Sequence, residues 1–297
     1  MVYRRHGRAD GPLDSRSAAD YAFEKCNDRR PVMPAGGPPM GTEKSRSSSS
    51  EQRGEPLPPH PLLTRYHADE QERRRQVNRW FDHSARGYDF VSQMMSFGSG
   101  NRYRRQVLLR EGLSAGMSLV DIACGTGVLT VHAQGIVGGG GLVVGLDPST
   151  GMLQEARGRG AGRLVRAVAE ALPLGSDRFD FLSMGYALRH VADLHVTFRE
   201  YRRVLKPGGK VLILEITPPA SRISFHLLKW YLGRLIPMVA RIGRGGRGSQ
   251  DLMKYYWDTI EHCVAPQVIL DALERAGFAH VTRRVEMGIL SSYTAIR

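Results

Sequence analysis

Between Val120 and Asp147 the chain reads VDIACGTGVLTVHAQGIVGGGGLVVGLD. An apolar run closes on Asp121, glycines stand at 125 and 127, a short helical stretch follows, and a second apolar run closes on Asp147. That order is a strand, a tight turn, a helix and a second strand, the unit from which parallel sheets flanked by helices are built. Gly125 and Gly127 lack a Cβ, so the turn can lie against a ligand, and the helix behind it presents unpaired N–H groups. Asp147 comes twenty residues after Gly127, where an acid closing a second strand can accept from both hydroxyls of a ribose.

A nicotinamide-binding turn would carry a third glycine three residues on, to admit close helix–strand packing. Position 130 is threonine. The pattern D-x-A-x-G-T-G resembles instead motif I of the class I S-adenosylmethionine-dependent methyltransferases. The resemblance implies S-adenosyl-L-methionine as cofactor. Asp121 then faces its cationic amino-acid end, Ala123, Gly125, Thr126 and Gly127 hold the methionine portion, and Asp147 takes the ribose.

Downstream, helix-like and strand-like stretches alternate. Residues 72–87 and 101–111 read as helices; apolar runs at 118–122, 142–147, 163–168, 179–184 and 210–216 read as strands. Helices fit at 127–135, 149–158 and 193–204, with Lys206-Pro207-Gly208-Gly209 as a turn into the fifth strand. A helical insertion over 222–260, a helix at 266–276 and two strand-like segments at 278–286 and 289–296 complete the chain.

Three cysteines (Cys26, Cys124, Cys263) are too few and too scattered for a disulfide framework or a zinc site, which points to a reducing cytoplasm and to no metal. No run of eighteen uncharged apolar residues and no N-terminal apolar leader occurs, which argues against a spanning or secreted protein. Pro, Gly and Ser crowd positions 34–62 (PAGGPPMGTEKSRSSSSEQRGEPLPPHPL), so residues 1–70 are expected to form a disordered tail, with 71–297 as the folded domain. Acids at 10, 14, 20, 24 and 28 speak against an organelle transit peptide, and Met33 and Met40 are alternative starts. The net charge of +13 belongs to the folded part, since residues 71–297 hold 31 Lys/Arg against 19 Asp/Glu.

Two further segments identify a family. FDHSARGYDFVSQMMSFGSGNRYRR (81–105) and AEALPLGSDRFDFLSMGYALRHVAD (169–193), followed by YRRVLKP (201–207) and LILEITPP (212–219), are similar to the ubiquinone/menaquinone biosynthesis C-methyltransferases. The resemblance covers residues 72–297. It implies a single α/β, Rossmann-like class I methyltransferase domain: a mostly parallel seven-stranded sheet with its last strand antiparallel, helices on both faces, N-terminal helices and a helical lid insertion. It implies further that Met152 covers an adenine face, that Val168 and Ala169 lie at the adenine edge, and that Gly185 borders the cofactor. The family carries Asp or Asn where this chain has Val168, so one hydrogen bond of about 0.5–1.5 kcal/mol is missing and weaker cofactor binding is expected. Arg189 and Tyr88 map onto residues implicated in substrate positioning or proton removal. His190 replaces the family's Asn and is a candidate proton relay.

The insertion stretch RISFHLLKWYLGRLIPMVARIGRGGR (222–247) has six Lys/Arg and no acid. Apolar residues at 225, 228, 232, 235, 236 and 239, with Lys229, Arg234 and Arg241 between them, suit a helix with a greasy face and basic flanks. Such a face packs as a lid on the core, docks on a membrane, or does both; Pro237 must break or kink it. The resemblance makes the acceptor a lipophilic prenylated quinol, while another lipid or small amphiphile, such as a phospholipid amine or a secondary metabolite, stays open. A peripheral membrane contact and a homodimer are both compatible with the sequence. Nucleic acid is not an expected partner. No N/D-P-P-Y/F follows the fourth strand and no cysteine is poised there for attack on a base.

Overall fold

Strand β1 (Ser118–Ile122) shows how this sequence becomes a sheet. Its side chains alternate, so Val120 and Ile122 enter one core layer while Leu119 enters the other. The neighbouring strands β2 (Leu142–Asp147), β3 (Arg163–Arg166), β4 (Phe179–Gly185) and β5 (Leu205–Ile216) join it in parallel. Strands β6 (Ala279–Glu286) and β7 (Leu290–Ile296) complete a seven-stranded sheet of order β3-β2-β1-β4-β5-β7-β6. β7 runs antiparallel to both its neighbours. The computed structural model describes residues 55–95, 98–242 and 246–297, so the expectation of disorder, for residues up to 54, lies outside the described residues.

Around the sheet stand α1 (Glu70–Met95), α2 (Gly100–Arg110), α3 (Val128–Val137), α4 (Thr150–Gly158), α5 (Leu194–Val204) and α9 (Pro266–Arg275). The lid is built of α6 (Arg222–Trp230), a π-turn over Tyr231–Leu235, α7 (Ile236–Ile242) and α8 (Gly246–Glu261). On one face of the sheet, Phe198 and Tyr201 of α5 and Ile269 and Leu273 of α9 pack on Val120, Leu182 and Ile213. On the other, Val107 and Leu108 of α2 and Leu129 and Ala133 of α3 pack on Leu119, Phe181 and Leu212. Each such large apolar side chain contributes about 1.5–3 kcal/mol on burial, which fixes the helices to both faces.

Several boundaries differ from the sequence reading. The first helix runs past Gly87 to Met95, a tolerable glycine in a helix well started by Asp69, whose carboxylate accepts from Glu72 N–H (2.7 Å) while Glu72 accepts from Ala68 N–H (2.6 Å). Lys206–Gly209 forms a bulge inside β5: Phe179 pairs with Leu205 and Phe181 already with Lys210. Strand β3 stops at Arg166, and the chain turns at Val168, whose carbonyl accepts from Ala171 N–H (3.3 Å).

The expected tail is shorter at its inner end. Residues 55–69 lie against the domain: Leu194 N–H donates to Leu57 C=O (2.9 Å), Val264 N–H donates to Pro59 C=O (2.8 Å), and His60 and His67 are buried. The lid resolves which face of the insertion is core. Phe225, Leu228, Leu232 and Ile236 point inward, packing with Trp257, Tyr256 and Tyr88. The π-turn precedes Pro237, whose missing N–H cannot bond the preceding turn, so the helix is interrupted where the proline requires.

Candidate active site

The carboxyl ends of adjacent strands β1 and β4 both finish in residues of left-handed backbone, Ala123 (φ 52°) and Tyr186 (φ 61°). Non-glycine residues there are strained, and such strain concentrates at sites of function. Gly125 (φ 55°) continues the turn after β1, with nothing within 4 Å of where a Cβ would stand. Gly127 (φ 79°) fulfils a different need, since a Cβ there would lie 2.9 Å from the Cβ of Ala156 on α4. One glycine leaves room on the ligand side; the other lets α3 approach α4.

Asp147 closes β2, and its carboxylate accepts from Gly125 N–H (2.8 Å) and Ser149 N–H (2.9 Å). It thereby couples the ends of β1 and β2 and still has lone pairs for a ligand hydroxyl. Burial pushes its pKa up to about 6, against the two N–H donors. Asp121 is placed more deeply than its expected role suggests. It is fully buried and accepts from Thr130 Oγ (2.7 Å) and Ser183 Oγ (2.7 Å), so it pins α3 and β4 to the turn from inside; burial raises its pKa to about 6.

Helix α1 roofs this turn. Thr126 Oγ donates to Asp89 (2.5 Å), Arg159 pairs with Asp89, and Arg159 Nε donates to Thr126 C=O (2.7 Å). About two turns earlier, Asp82 accepts from Ser149 Oγ (2.6 Å) and Gly151 N–H (2.9 Å), at the N-terminus of α4. A Cβ on Gly151 would meet the Asp82 carbonyl at 2.8 Å, so only glycine admits this approach. Under the roof Met152 is enclosed. Val168 and Ala169 lie in the turn after β3, where the acid nearest in sequence, Glu170, is taken up by Ala192 N–H (2.6 Å). At Gly185 a Cβ would strike Leu129 Cδ1 at 2.5 Å, so its glycine is explained by the packing of α3 on β4.

The three candidate catalytic residues come together beneath the lid. Arg189 is fully buried in the 3₁₀ turn after β4. It pairs with Glu215 of β5, donates from Nε to Thr259 Oγ (3.3 Å) and from Nη2 to Tyr186 C=O (3.4 Å), and lies 4.5 Å from the centroid of Tyr256. Glu215 also accepts from Leu188 N–H (2.8 Å). Burial alone would lower the pKa of Arg189, but Glu215 and Tyr256 raise it further above its ordinary range. It is a permanent cation. Burial pushes the Tyr88 phenol up, with Arg189 opposing, so Tyr88 is protonated at neutral pH. Phe81 bridges Tyr88 (5.9 Å between ring centroids) and His190 (5.4 Å). His190 stacks on Tyr255 at 5.9 Å, and its two ring nitrogens are buried with no hydrogen-bond partner among the described residues. Burial, reinforced by Arg189 and Arg73, holds its pKa well below the usual imidazole range.

Residues 67–297 match the ubiE/COQ5 methyltransferase family. The chain belongs to this family. It is 31% identical to the ubiquinone/menaquinone biosynthesis C-methyltransferase UbiE of Hahella chejuensis over 76% of this chain and 93% of that one. Against the demethylmenaquinone methyltransferase of a Staphylococcus aureus strain it is 32% identical, over 73% of this chain and 90% of the relative. The fold is shared with an S-adenosylmethionine-dependent methyltransferase of Thermotoga maritima, with a TM-score of 0.52 at 18% identity over 73% and 98% of the two chains. The protein is an S-adenosylmethionine-dependent methyltransferase. Its glycine turn fits that cofactor: Gly125 leaves open space, Asp147 retains acceptor capacity toward ribose hydroxyls, and no third glycine cradles a pyrophosphate.

Sequence reasoning missed Glu215, Asp82 and Asp89. Glu215 had a signal, a lone acid inside the apolar strand LILEIT, which is costly unless paired. Asp82 and Asp89 stand in the family-like segment, seven residues and about two turns apart on one face of α1.

Proposed function

We propose that the protein transfers a methyl group to a ring carbon of a prenylated hydroquinone. The observation that carries this reading is the surroundings of Arg189: a fixed cation balanced by Glu215, enclosed by aromatic rings at the carboxyl end of β4, beside the strand that bears the glycine turn. Aromatic walls suit a flat ring, and a buried guanidinium favours the ring oxygen as phenolate, the form in which the ring carbon is most nucleophilic. The similar proteins named above carry the same acceptor class in their names.

When bound, S-adenosylmethionine supplies an electrophilic methyl on a sulfonium that departs as a neutral thioether. Gly125, Thr126, Gly127 and Asp147 hold it in this reading. The ring carbon forms its new bond with a ring electron pair and then loses one proton, whose bonding pair restores aromaticity. Arg189 cannot take that proton, because it is already charged and paired. His190 can, being neutral with ring nitrogens that have no hydrogen-bond partner among the described residues. Tyr88, a protonated phenol, orients the ring oxygen. The acceptor's tail belongs to a bilayer, so we place the enzyme in the cytoplasm, working at a membrane periphery. Incubation with a reduced short-tailed demethyl quinol and methyl-labelled cofactor should yield a product with label on a ring carbon. Label appearing only on oxygen, or on a phospholipid amine in competition, overturns the reading.

A further inference from the structure

Helix α6 has no buried residue, yet it carries large apolar side chains on two sides, separated by Arg222, Ser224, His226 and Lys229. Its inner side, Phe225 and Leu228, meets the cluster of Trp257, Tyr256 and Tyr88. Its outer side presents Ile223, Leu227 and Trp230, at 82%, 65% and 52% exposure, spaced as one stripe, with Met238 of α7 at 53% farther along. A folded monomer seldom leaves such a stripe bare unless it meets a partner. Along this part of the chain the charge has one sign. From Ile216 to Gln250 the chain contains no acid. Arg222, Arg234 and Arg241 are exposed and have no ion-pair partner among the described residues, whereas Lys229 is held by Glu261 (2.5 Å).

We propose that the outer face of α6, continued by Met238, docks on an anionic lipid bilayer. Ile223, Leu227 and Met238 enter the boundary between headgroups and acyl chains, Trp230 sits at the interface where tryptophan is favoured, and the three arginines engage lipid phosphates. The partner chemistry follows from these side chains: an apolar stripe needs an apolar phase, and three exposed arginines without an acidic partner among the described residues need a dense anionic surface. The lipid-facing set differs from the apolar positions 225, 228, 232, 235, 236 and 239 read from the sequence, of which 225, 228, 232 and 236 pack inward. Docking at this face deepens the quinol reading and rests on it for the reason the enzyme visits a membrane, though the docking itself is tested separately.

The test is co-sedimentation of the full chain with vesicles of phosphatidylcholine alone or mixed with phosphatidylglycerol, at low and high salt. Wild type should bind the mixed vesicles at low salt and release at high salt. Ile223→Ser/Leu227→Ser/Trp230→Ser, and separately Arg222→Gln/Arg234→Gln/Arg241→Gln, should each lower the vesicle partition by about tenfold or more. Both variants should keep wild-type cofactor affinity and wild-type turnover on a short-tailed soluble quinol, which shows that they fold. Vesicle binding by either variant equal to wild type overturns the proposal. So does a wild type that ignores anionic vesicles but is a dimer by light scattering, made monomeric by the serine variant, since the stripe then covers a second copy. If docking behaves as stated and no quinol is methylated, the docking stands and the acceptor reading falls.

Discussion

Arg189 and Glu215 form an ion pair sealed inside the fold, their side chains 0% and 2% exposed. Taking two such charges from water costs several kcal/mol per ion, so the pair survives only because each partner's remaining groups are satisfied. Thr259 Oγ and Tyr186 C=O accept from the arginine, and Leu188 N–H donates to the glutamate. The pair holds a cation in a place where water would otherwise screen it. Glu215→Gln should therefore destabilise the protein by about 3–5 kcal/mol, whereas Arg189→Met/Glu215→Leu should be at least as stable as either single variant. Both should lose turnover by about a hundredfold or more if the charge is used. Urea denaturation and single-turnover kinetics measure the two effects; a double variant less stable than both singles would sink the account.

Asp147 should make cofactor affinity depend on pH. Its pKa of about 6 means the carboxylate becomes a neutral acid just below neutrality, and a neutral acid is the weaker acceptor for ribose hydroxyls. Affinity should fall by about tenfold between pH 7.5 and pH 5, the loss expected one unit below the pKa. The opposite sign holds for stability of the free protein. A carboxyl raised above its unfolded value contributes stability at low pH that is lost as pH rises through about 6. Calorimetric titration of wild type and Asp147→Asn checks it. The variant should bind weakly at both pH values, with little slope.

The limits of β1 and β2 were legible because each apolar run comes shortly after a glycine, Gly116 or Gly141, and carries its one acid, Asp121 or Asp147, at or next to its last residue: 118–122 and 142–147 are the strands observed. Asp147, Gly125 and Gly127 were legible for the same reason, that local backbone chemistry dictates them. The roof was not. Asp82 and Asp89 reach Ser149 and Thr126 across 67 and 37 residues, and no local pattern encodes such pairs. The lid face was ambiguous for another reason. A helix with large apolar residues on two sides has two acceptable inner faces, and the choice falls to Trp257, which Phe225 meets at 6.0 Å, and to the Lys229–Glu261 pair.

The Asp89–Thr126–Arg159 contacts predict that α1 governs cofactor exchange. Asp89→Asn should weaken the tie to Thr126 and Arg159, and Asp82→Ala should remove the cap on Ser149 and Gly151, at a cost of about 1 kcal/mol. Each variant should release bound cofactor faster than wild type, read by stopped-flow displacement. An unchanged dissociation rate in both would mean that α1 is fixed scaffold.

Val168 leaves the expected adenine edge without a side-chain acceptor, and Glu170 is committed to Ala192 N–H. Val168→Asp should tighten cofactor binding by about two- to tenfold, the worth of one hydrogen bond. No gain would show that the adenine amine is served elsewhere.

His190 separates a proton acceptor from a space-filling ring. Its imidazole is held neutral far below the usual range by burial and by Arg189 and Arg73, so the wild-type single-turnover rate at saturating cofactor should persist below pH 6.5 without the fall that an exposed histidine would impose. His190→Asn, which keeps polarity and removes the basic nitrogen, should lower the single-turnover rate by about a hundredfold while leaving cofactor affinity intact. Stability supplies an independent readout. A histidine whose folded pKa lies below its unfolded 6.5 contributes stability above pH 6.5 that is lost as pH falls through that value. His190→Asn should therefore show a smaller drop in melting temperature than wild type between pH 7.5 and pH 5.5. If the drop is smaller but the rate is unchanged, the imidazole is buried as stated and the proton leaves by another route.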